Sequence, residues 1–209
     1  MKTNFLKYCL MAVSLSVVPF ASTYAADCVH KVGGLAPLSA PGSVTGGEAM
    51  RDAMLLAERD VNAAGGVLGC DLELVITDTE GLPENATAMM EKLITQDGVV
   101  AVGGGYHSSV GVASKDVANA RGIPVVFAET WNDTITGDKQ KYIFRIAPLS
   151  SWASGVIWQF AAQAPGVKKV AIVTENTDYG IPAAKECEVG LGTKGIDSVT
   201  FGVDIGTQD

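Results

Sequence analysis

Short apolar runs alternate with amphipathic stretches along most of this chain. The apolar runs predict strands at about 29–35, 72–77, 99–102, 124–127, 142–146, 170–174 and 197–203. Between them, apolar positions recur at steps of three and four, which predicts helices. Two of these helices begin near residues 46 and 83, and three others cover about 109–121, 150–163 and 181–191. Strands apolar on both faces, separated by helices, indicate an α/β fold with a parallel sheet covered on both sides.

The loops after the strands are the places to look for a site, because parallel sheets bind ligands at their carboxyl ends. We therefore expect a ligand near residues 36–46, 77–83, 103–109 and 128–136. The last predicted strand is followed by only six residues, 204–209, with no helix to cover it. We expect the fold to be incomplete at its C-terminal end.

The first 25 residues have the pattern of an export signal. Two lysines precede an apolar run at 8–20, and Thr23 and Ala25 occupy the two positions of a small-residue cleavage site. The run is shorter than the ~20 residues that span a bilayer, so a removed signal peptide at 1–25 is favoured over an anchor. We expect the mature protein to work outside the cytoplasm, in the periplasm.

Three cysteines remain after the predicted cleavage site, and an oxidising compartment favours pairing two of them. Cys28 and Cys70 each precede a predicted strand. If those strands are parallel neighbours, the two residues lie within disulfide reach. We predict a Cys28–Cys70 disulfide, which leaves Cys187 either as a buried free thiol or with a partner outside this chain.

The charge and the missing motifs exclude several function classes. A formal net charge of −8 over 209 residues argues against nucleic acid as a partner. Two histidines are too few to indicate a metal site. The glycine run at 103–105 lacks both the dinucleotide fingerprint and a Gly-Lys-Ser/Thr sequence, so no nucleotide cofactor is expected. No catalytic motif is recognisable, and we expect a protein that is not an enzyme.

Several segments in order resemble the type I periplasmic solute-binding proteins, the leucine/isoleucine/valine-binding group that serves ABC importers. These segments are 36–42, the asparagine and glycine turn at 61–69, 99–104 with Ser108 and Ser109, 144–148, and Tyr179-Gly180. The resemblance implies two Rossmann-like lobes joined by three crossovers, with the ligand between them. It implies that residues 26–146 are the first part of lobe one and that 147–209 begin lobe two.

Ser108 and Ser109 are the first candidate ligand contacts. They lie where a strand turns into a helix, and the unpaired N–H groups and positive dipole of a helix N-terminus favour an anion. Their hydroxyls add donors, so the turn suits the carboxylate of an amino acid. The resemblance places ligand-binding hydroxyls at this loop as well. The alternative is that Ser108 only caps the helix.

The other candidate contacts are His107, Glu129, Thr130, Trp131 and Tyr179. His107 is expected either to meet the ligand or to hydrogen-bond the loop. The family usually has small residues and a threonine at 128–131, so a carboxylate and an indole there depart from its pattern. They favour a larger, cationic or aromatic ligand over a plain branched-chain amino acid, unless Glu129 is solvated and Trp131 packed. Tyr179 matches a family tyrosine that closes over the ligand.

Trp152 is expected in the core.

The leading hypothesis is a periplasmic binding protein that delivers an amino acid or a related small carboxylate to the membrane permease of an ABC importer. The alternatives are the ligand-sensing ectodomain of a receptor and, less favoured, a secreted enzyme on a Rossmann-like scaffold.

Overall fold

The computed structural model describes residues 28–207, so the predicted signal peptide lies outside the described residues. Strands and helices alternate through this range, as the apolar pattern predicts. No helix within 28–207 combines the length and apolar character needed to cross a bilayer. The elements are β1 (Val29–Ala36), α1 (Val44–Ala63), β2 (Asp71–Asp78), α2 (Ala86–Thr95), β3 (Ala101–Gly104), α3 (Ser108–Arg121), β4 (Val125–Phe127), α4 (Thr134–Gly137), β5 (Ile143–Arg145), α5 (Ser150–Gln163), β6 (Lys169–Glu175), α6 (Gly180–Gly192) and β7 (Asp197–Val203).

The first five strands form one parallel sheet in the order β2-β1-β3-β4-β5. The chain moves outward from β1 to β2, then crosses to β3 on the other side of β1. This reversal is the switch point beside which doubly wound sheets bind ligands. The α/β class is confirmed, with the Rossmann-like arrangement of the resembled family.

Apolar side chains from strands and helices form a continuous core around this sheet. Leu35, Met90, Leu93, Val102 and Phe127 are each at most 2% exposed. The core fixes where the strands end, and therefore where the loops after them meet.

The last two strands form a separate parallel pair, β6-β7, against which α6 packs. Its side chains are less covered, with Val173 71% and Phe201 54% exposed. Trp152 on α5 is 68% exposed, so its expected place in the core is wrong. Its neighbours along the same helix face, Val156 and Phe160, are also exposed. A regular apolar stripe predicts the helix correctly but does not show what covers the stripe.

The predicted disulfide is confirmed: Cys28 and Cys70 are bonded. Strands β1 and β2 pair in parallel with Val29 opposite Asp71, which brings the preceding cysteines side by side. Cys187 is a buried free thiol in α6, and its Sγ lies 3.7 Å from the Ser154 carbonyl oxygen of α5. Burial raises the pKa of this thiol above its usual value.

Candidate functional site

A cavity of about 290 Å³ opens at the carboxyl ends of the strands, with walls from both sheets. All four loops singled out by the sequence contribute to it. The first loop provides Ser43 and the second provides Gly81. The Asp78 carboxylate holds the first loop in place, accepting hydrogen bonds from the Leu38 N–H at 2.7 Å and from the Ser39 hydroxyl at 2.6 Å.

The turn from β3 into α3 forms the floor of the cavity. Gly104 and Gly105 have φ values of +88° and +81°, a conformation that other residues rarely adopt. A Cβ on Gly104 would also lie 2.5 Å from the Leu35 carbonyl oxygen. This sharp turn brings residues 106–109 to the cavity. The N–H groups of residues 108–110, at the N-terminus of α3, have no hydrogen-bond acceptor within the described part of the chain.

The hydroxyls of Ser108 and Ser109 line the cavity and also hold its walls together. Ser108 Oγ accepts hydrogen bonds from the N–H groups of Trp131 and Asn132, at 3.1 and 3.2 Å. Ser109 Oγ accepts a hydrogen bond from the Asp178 N–H at 3.2 Å. Because Ser109 follows β3 and Asp178 follows β6, this bond joins the two sheets. Neither serine caps α3, because its N-cap residue is His107. Each hydroxyl keeps its own proton to donate.

Glu129 and Trp131 lie together on one wall. The Trp131 indole N–H donates to Glu129 Oε2 at 2.9 Å, and the indole ring meets Tyr179 edge-on with 6.2 Å between ring centroids. Tyr179 comes from the segment before α6, so the two rings approach from opposite sides of the cavity. Thr130, between them in sequence, is fully buried and is not among the lining residues. The structure brings the other six predicted contacts together and leaves Thr130 behind the wall.

His107 has the mixed character that the sequence left open. It lines the cavity, and its Nε2 accepts a long hydrogen bond of 3.4 Å from the Ser43 N–H. Its Nδ1 is buried without a partner in the described structure. Burial lowers the pKa of His107 below its usual value, although the nearby Glu175 carboxylate opposes this shift. The imidazole is therefore neutral at pH 7.

Sequence reasoning missed Glu175, Thr177 and Ile205, which line the opposite wall. Glu175 is the last residue of β6, and Thr177 follows it in the loop to α6. Thr177 Oγ1 accepts hydrogen bonds from the N–H groups of Tyr179 and Gly180, at 3.3 and 3.2 Å. The rule that ligands bind at strand carboxyl ends also applies to β6, and would have found Glu175. Tyr106, the remaining aromatic lining residue, immediately precedes His107.

Main-chain atoms of Asp178 connect the two walls. The Asn132 side-chain amide donates to the Asp178 carbonyl oxygen, while Ser109 accepts from the Asp178 N–H. Asn132 is itself held firmly: its carbonyl accepts a hydrogen bond from Arg145 at 2.9 Å, and its Oδ1 accepts one from the Thr134 N–H at 2.8 Å. We call the contacts of Asn132 and Ser109 with Asp178 the cross-cavity clamp. The clamp sets where Tyr179 lies relative to Trp131.

The cavity offers hydrogen bonds, charge and aromatic surface, but no cluster suited to a metal. No group of three histidine, cysteine or acidic side chains that could hold an ion occurs within residues 28–207. The arrangement suits reversible binding of a small polar molecule.

The sequence matches the family model described as "Periplasmic binding protein" over residues 30–209. The chain belongs to this family. Receptor and enzyme alternatives receive no support from the relatives of this periplasmic binding protein.

One relative of this periplasmic binding protein is a leucine-, isoleucine-, valine-, threonine- and alanine-binding protein of Pseudomonas aeruginosa. It is 29% identical over all of this chain and 56% of its own length. A second relative, an amino acid binding protein of the same species, is matched over 53% of its length. The chain therefore spans about half the length of the curated relatives it matches.

Two solved structures extend the comparison to bound molecules. LivJ from Streptococcus pneumoniae, in complex with isoleucine, is 26% identical with a TM-score of 0.73, covering 87% of this chain and 51% of LivJ. A solute-binding protein from R. palustris, in complex with benzoate, is 25% identical with a TM-score of 0.76, covering 87% and 49%. The type I periplasmic binding protein fold of this chain is therefore shared with proteins that hold quite different solutes.

Proposed function

We propose that this protein binds an amino acid or a related small carboxylate outside the cytoplasm and delivers it to the permease of an ABC importer. The proposal includes export through a cleaved signal peptide at 1–25. It also includes a division into a first lobe that contains residues 26–146 and a second that begins at 147. Binding would close the lobes on the solute without chemistry.

The observation that carries this proposal is the cavity at the N-terminus of α3. Three N–H groups there lack acceptors among residues 28–207, and two serine hydroxyls lie beside them with protons to donate. A carboxylate satisfies several such donors at once and interacts favourably with the helix dipole. Ser108, Ser109, His107, Glu129, Trp131 and Tyr179 are the proposed contacts, and Thr130 supports the wall from behind.

The relatives support both kinds of solute in the proposal, an amino acid and another small carboxylate. One is named for five amino acids, LivJ holds isoleucine, and the R. palustris protein holds benzoate. Isoleucine and benzoate share a carboxylate and little else, which agrees with a carboxylate subsite as the common feature.

The test is a thermal-shift and calorimetric screen of the purified protein against amino acids and aromatic carboxylates. We expect saturable binding of at least one compound. Ser108→Ala should weaken it about ten-fold, because a charge-assisted hydrogen bond is lost. Ser114→Ala is the matched control, since that buried hydroxyl lies in the same helix and donates to the Val110 carbonyl. No binding by any compound, or equal affinity in Ser108→Ala and wild type, would contradict the proposal.

A further inference from the structure

Carboxylates dominate the charge of the cavity. Glu129 lines one wall and Glu175 the other, and neither lysine nor arginine occurs among the lining residues that the structure describes. His107 is neutral at pH 7 because burial lowers its pKa. Among the described lining residues, the walls therefore carry two negative charges, and the partial positive charge of the α3 N-terminus opposes them. The Arg145 guanidinium lies behind the wall, where it donates to the Trp131 and Asn132 carbonyls.

Aromatic rings surround the same space. Tyr106, Trp131 and Tyr179 all line it. The hydrogen bond from Trp131 Nε1 fixes the Glu129 carboxylate beside the indole, and the edge-on contact with Tyr179 fixes the indole in turn. A carboxylate beside electron-rich rings favours a positively charged group, through both ion pairing and cation–π attraction.

The two carboxylates lie in different settings. Glu175 and His107 line the cavity together, and His107 immediately precedes the N-terminus of α3. An α-ammonium group, one carbon from an α-carboxylate, therefore suits Glu175. Glu129 lies with the aromatic rings and is available to pair with a second positively charged group of the solute. Glu129 is exposed and, within the described part of the chain, its carboxylate accepts a hydrogen bond only from the indole N–H, so its other acceptor positions are open to a positively charged group. A solute with one ammonium would leave one of the two carboxylates without a counter-charge.

We propose, on the basis of the solute-binding function above, that the solute is a cationic amino acid with net charge +1. Its α-carboxylate binds the N-terminus of α3, its α-ammonium binds Glu175, and its side-chain cation binds Glu129 beside Trp131. Neutral aliphatic amino acids and aromatic carboxylates are selected against, because they leave one or both carboxylates without a counter-charge.

Arginine and citrulline provide a matched pair of probes, since they share a shape and differ in the charge of the terminal group. Calorimetry on the purified protein should give an affinity for arginine about ten- to hundred-fold above that for citrulline, the range of one hydrogen bond to a charged group. Leucine and benzoate should bind more weakly than arginine.

Glu129→Gln should reduce the affinity for arginine and bring the ratio of arginine to citrulline affinity close to one. The control is Glu73→Gln, which removes a carboxylate from an exposed position on β2 outside the cavity and should preserve the ratio. Melting temperature and far-ultraviolet circular dichroism establish that both variants are folded.

The outcomes separate the two proposals. Binding of leucine or benzoate in preference to arginine overturns the cationic solute and leaves the solute-binding function standing. Equal affinities for arginine and citrulline, or an unchanged ratio in Glu129→Gln, also overturn it. If none of the amino acids or carboxylates binds, the solute-binding function itself fails.

Discussion

The two sheets contribute opposite walls of one cavity, yet they bury their apolar side chains very differently. In the five-stranded sheet, β1 ends with four buried residues, and Leu35 is 1% exposed. In the two-stranded sheet, most residues of β7 are exposed, including Phe201 at 54%. Local stability follows buried apolar contact, so the second sheet should open at lower free energy than the first.

This difference indicates how the site is built. The first sheet supplies the rigid part, namely the α3 N-terminus and the loop that carries Glu129 and Trp131. The second sheet supplies Glu175 and Tyr179, whose positions depend on the cross-cavity clamp as well as on packing. Substitutions in each sheet and in the clamp test this division.

Removal of the disulfide should cost the most stability. The Cys28→Ser/Cys70→Ser double variant removes a link between residues 42 apart, and we expect a loss of about 2–4 kcal/mol in the free energy of unfolding. Urea denaturation measures the loss, and wild type unfolded under reducing conditions serves as the control. Equal urea midpoints for the double variant and the oxidised wild type would show that the disulfide does not stabilise the β1–β2 edge.

Asn132→Ala should loosen the second sheet and spare β1, although it also removes the acceptor of the Thr134 N–H. The variant leaves the Asp178 carbonyl without its donor, at an expected cost of about 1–2 kcal/mol. Hydrogen exchange should accelerate at residues 169–203 and remain unchanged at 29–36. Asn176→Ala is the matched control, because the Asn176 side chain donates to Asp204 in an exposed position and takes no part in the clamp. Equal acceleration in both sheets would contradict the division described above.

His107 should make stability depend on pH. Its pKa is lowered in the folded state by burial, so the unfolded chain takes up a proton first as pH falls. Stability should therefore rise with pH from the lowered pKa up to about 6.5, the ordinary value for histidine. Urea titrations across this window should show a flatter dependence for His107→Gln. An unchanged slope would mean that His107 is not buried as neutral imidazole.

Cys187 should show the smallest effect, a difference in thiol reactivity. Its side chain is buried between α6 and α5, and burial raises the pKa, so little thiolate is present or accessible. An aromatic disulfide reagent should react with it slowly in the native protein and quickly in denaturant. Rapid native reaction would show that α5 and α6 separate readily.

Much of this architecture could be predicted from sequence, because local patterns determine it. The apolar runs located every strand of both sheets to within two residues, and the cysteines that precede β1 and β2 indicated their pairing. The short helix α4 was missed, since four residues carry no periodicity.

The site was predicted only in part, because lining a cavity depends on three-dimensional packing. Thr130 follows a buried strand just as Glu129 does, yet it points into the core against Gly111 and Gly105. Glu175 lies on a second sheet whose approach to the first cannot be inferred from hydrophobic periodicity. Trp152 is the opposite case, because its large apolar side chain on a helix predicts burial and yet the side chain is exposed.

The cross-cavity clamp has a consequence for sequence variation. Asn132 and Ser109 grip residue 178 through its peptide N–H and carbonyl, atoms that almost every amino acid supplies. Substitutions of the aspartate side chain should therefore be tolerated, whereas proline, which lacks the N–H, should not. A mutational scan should therefore find that position 178 tolerates most substitutions, whereas position 132, which contacts it, tolerates few.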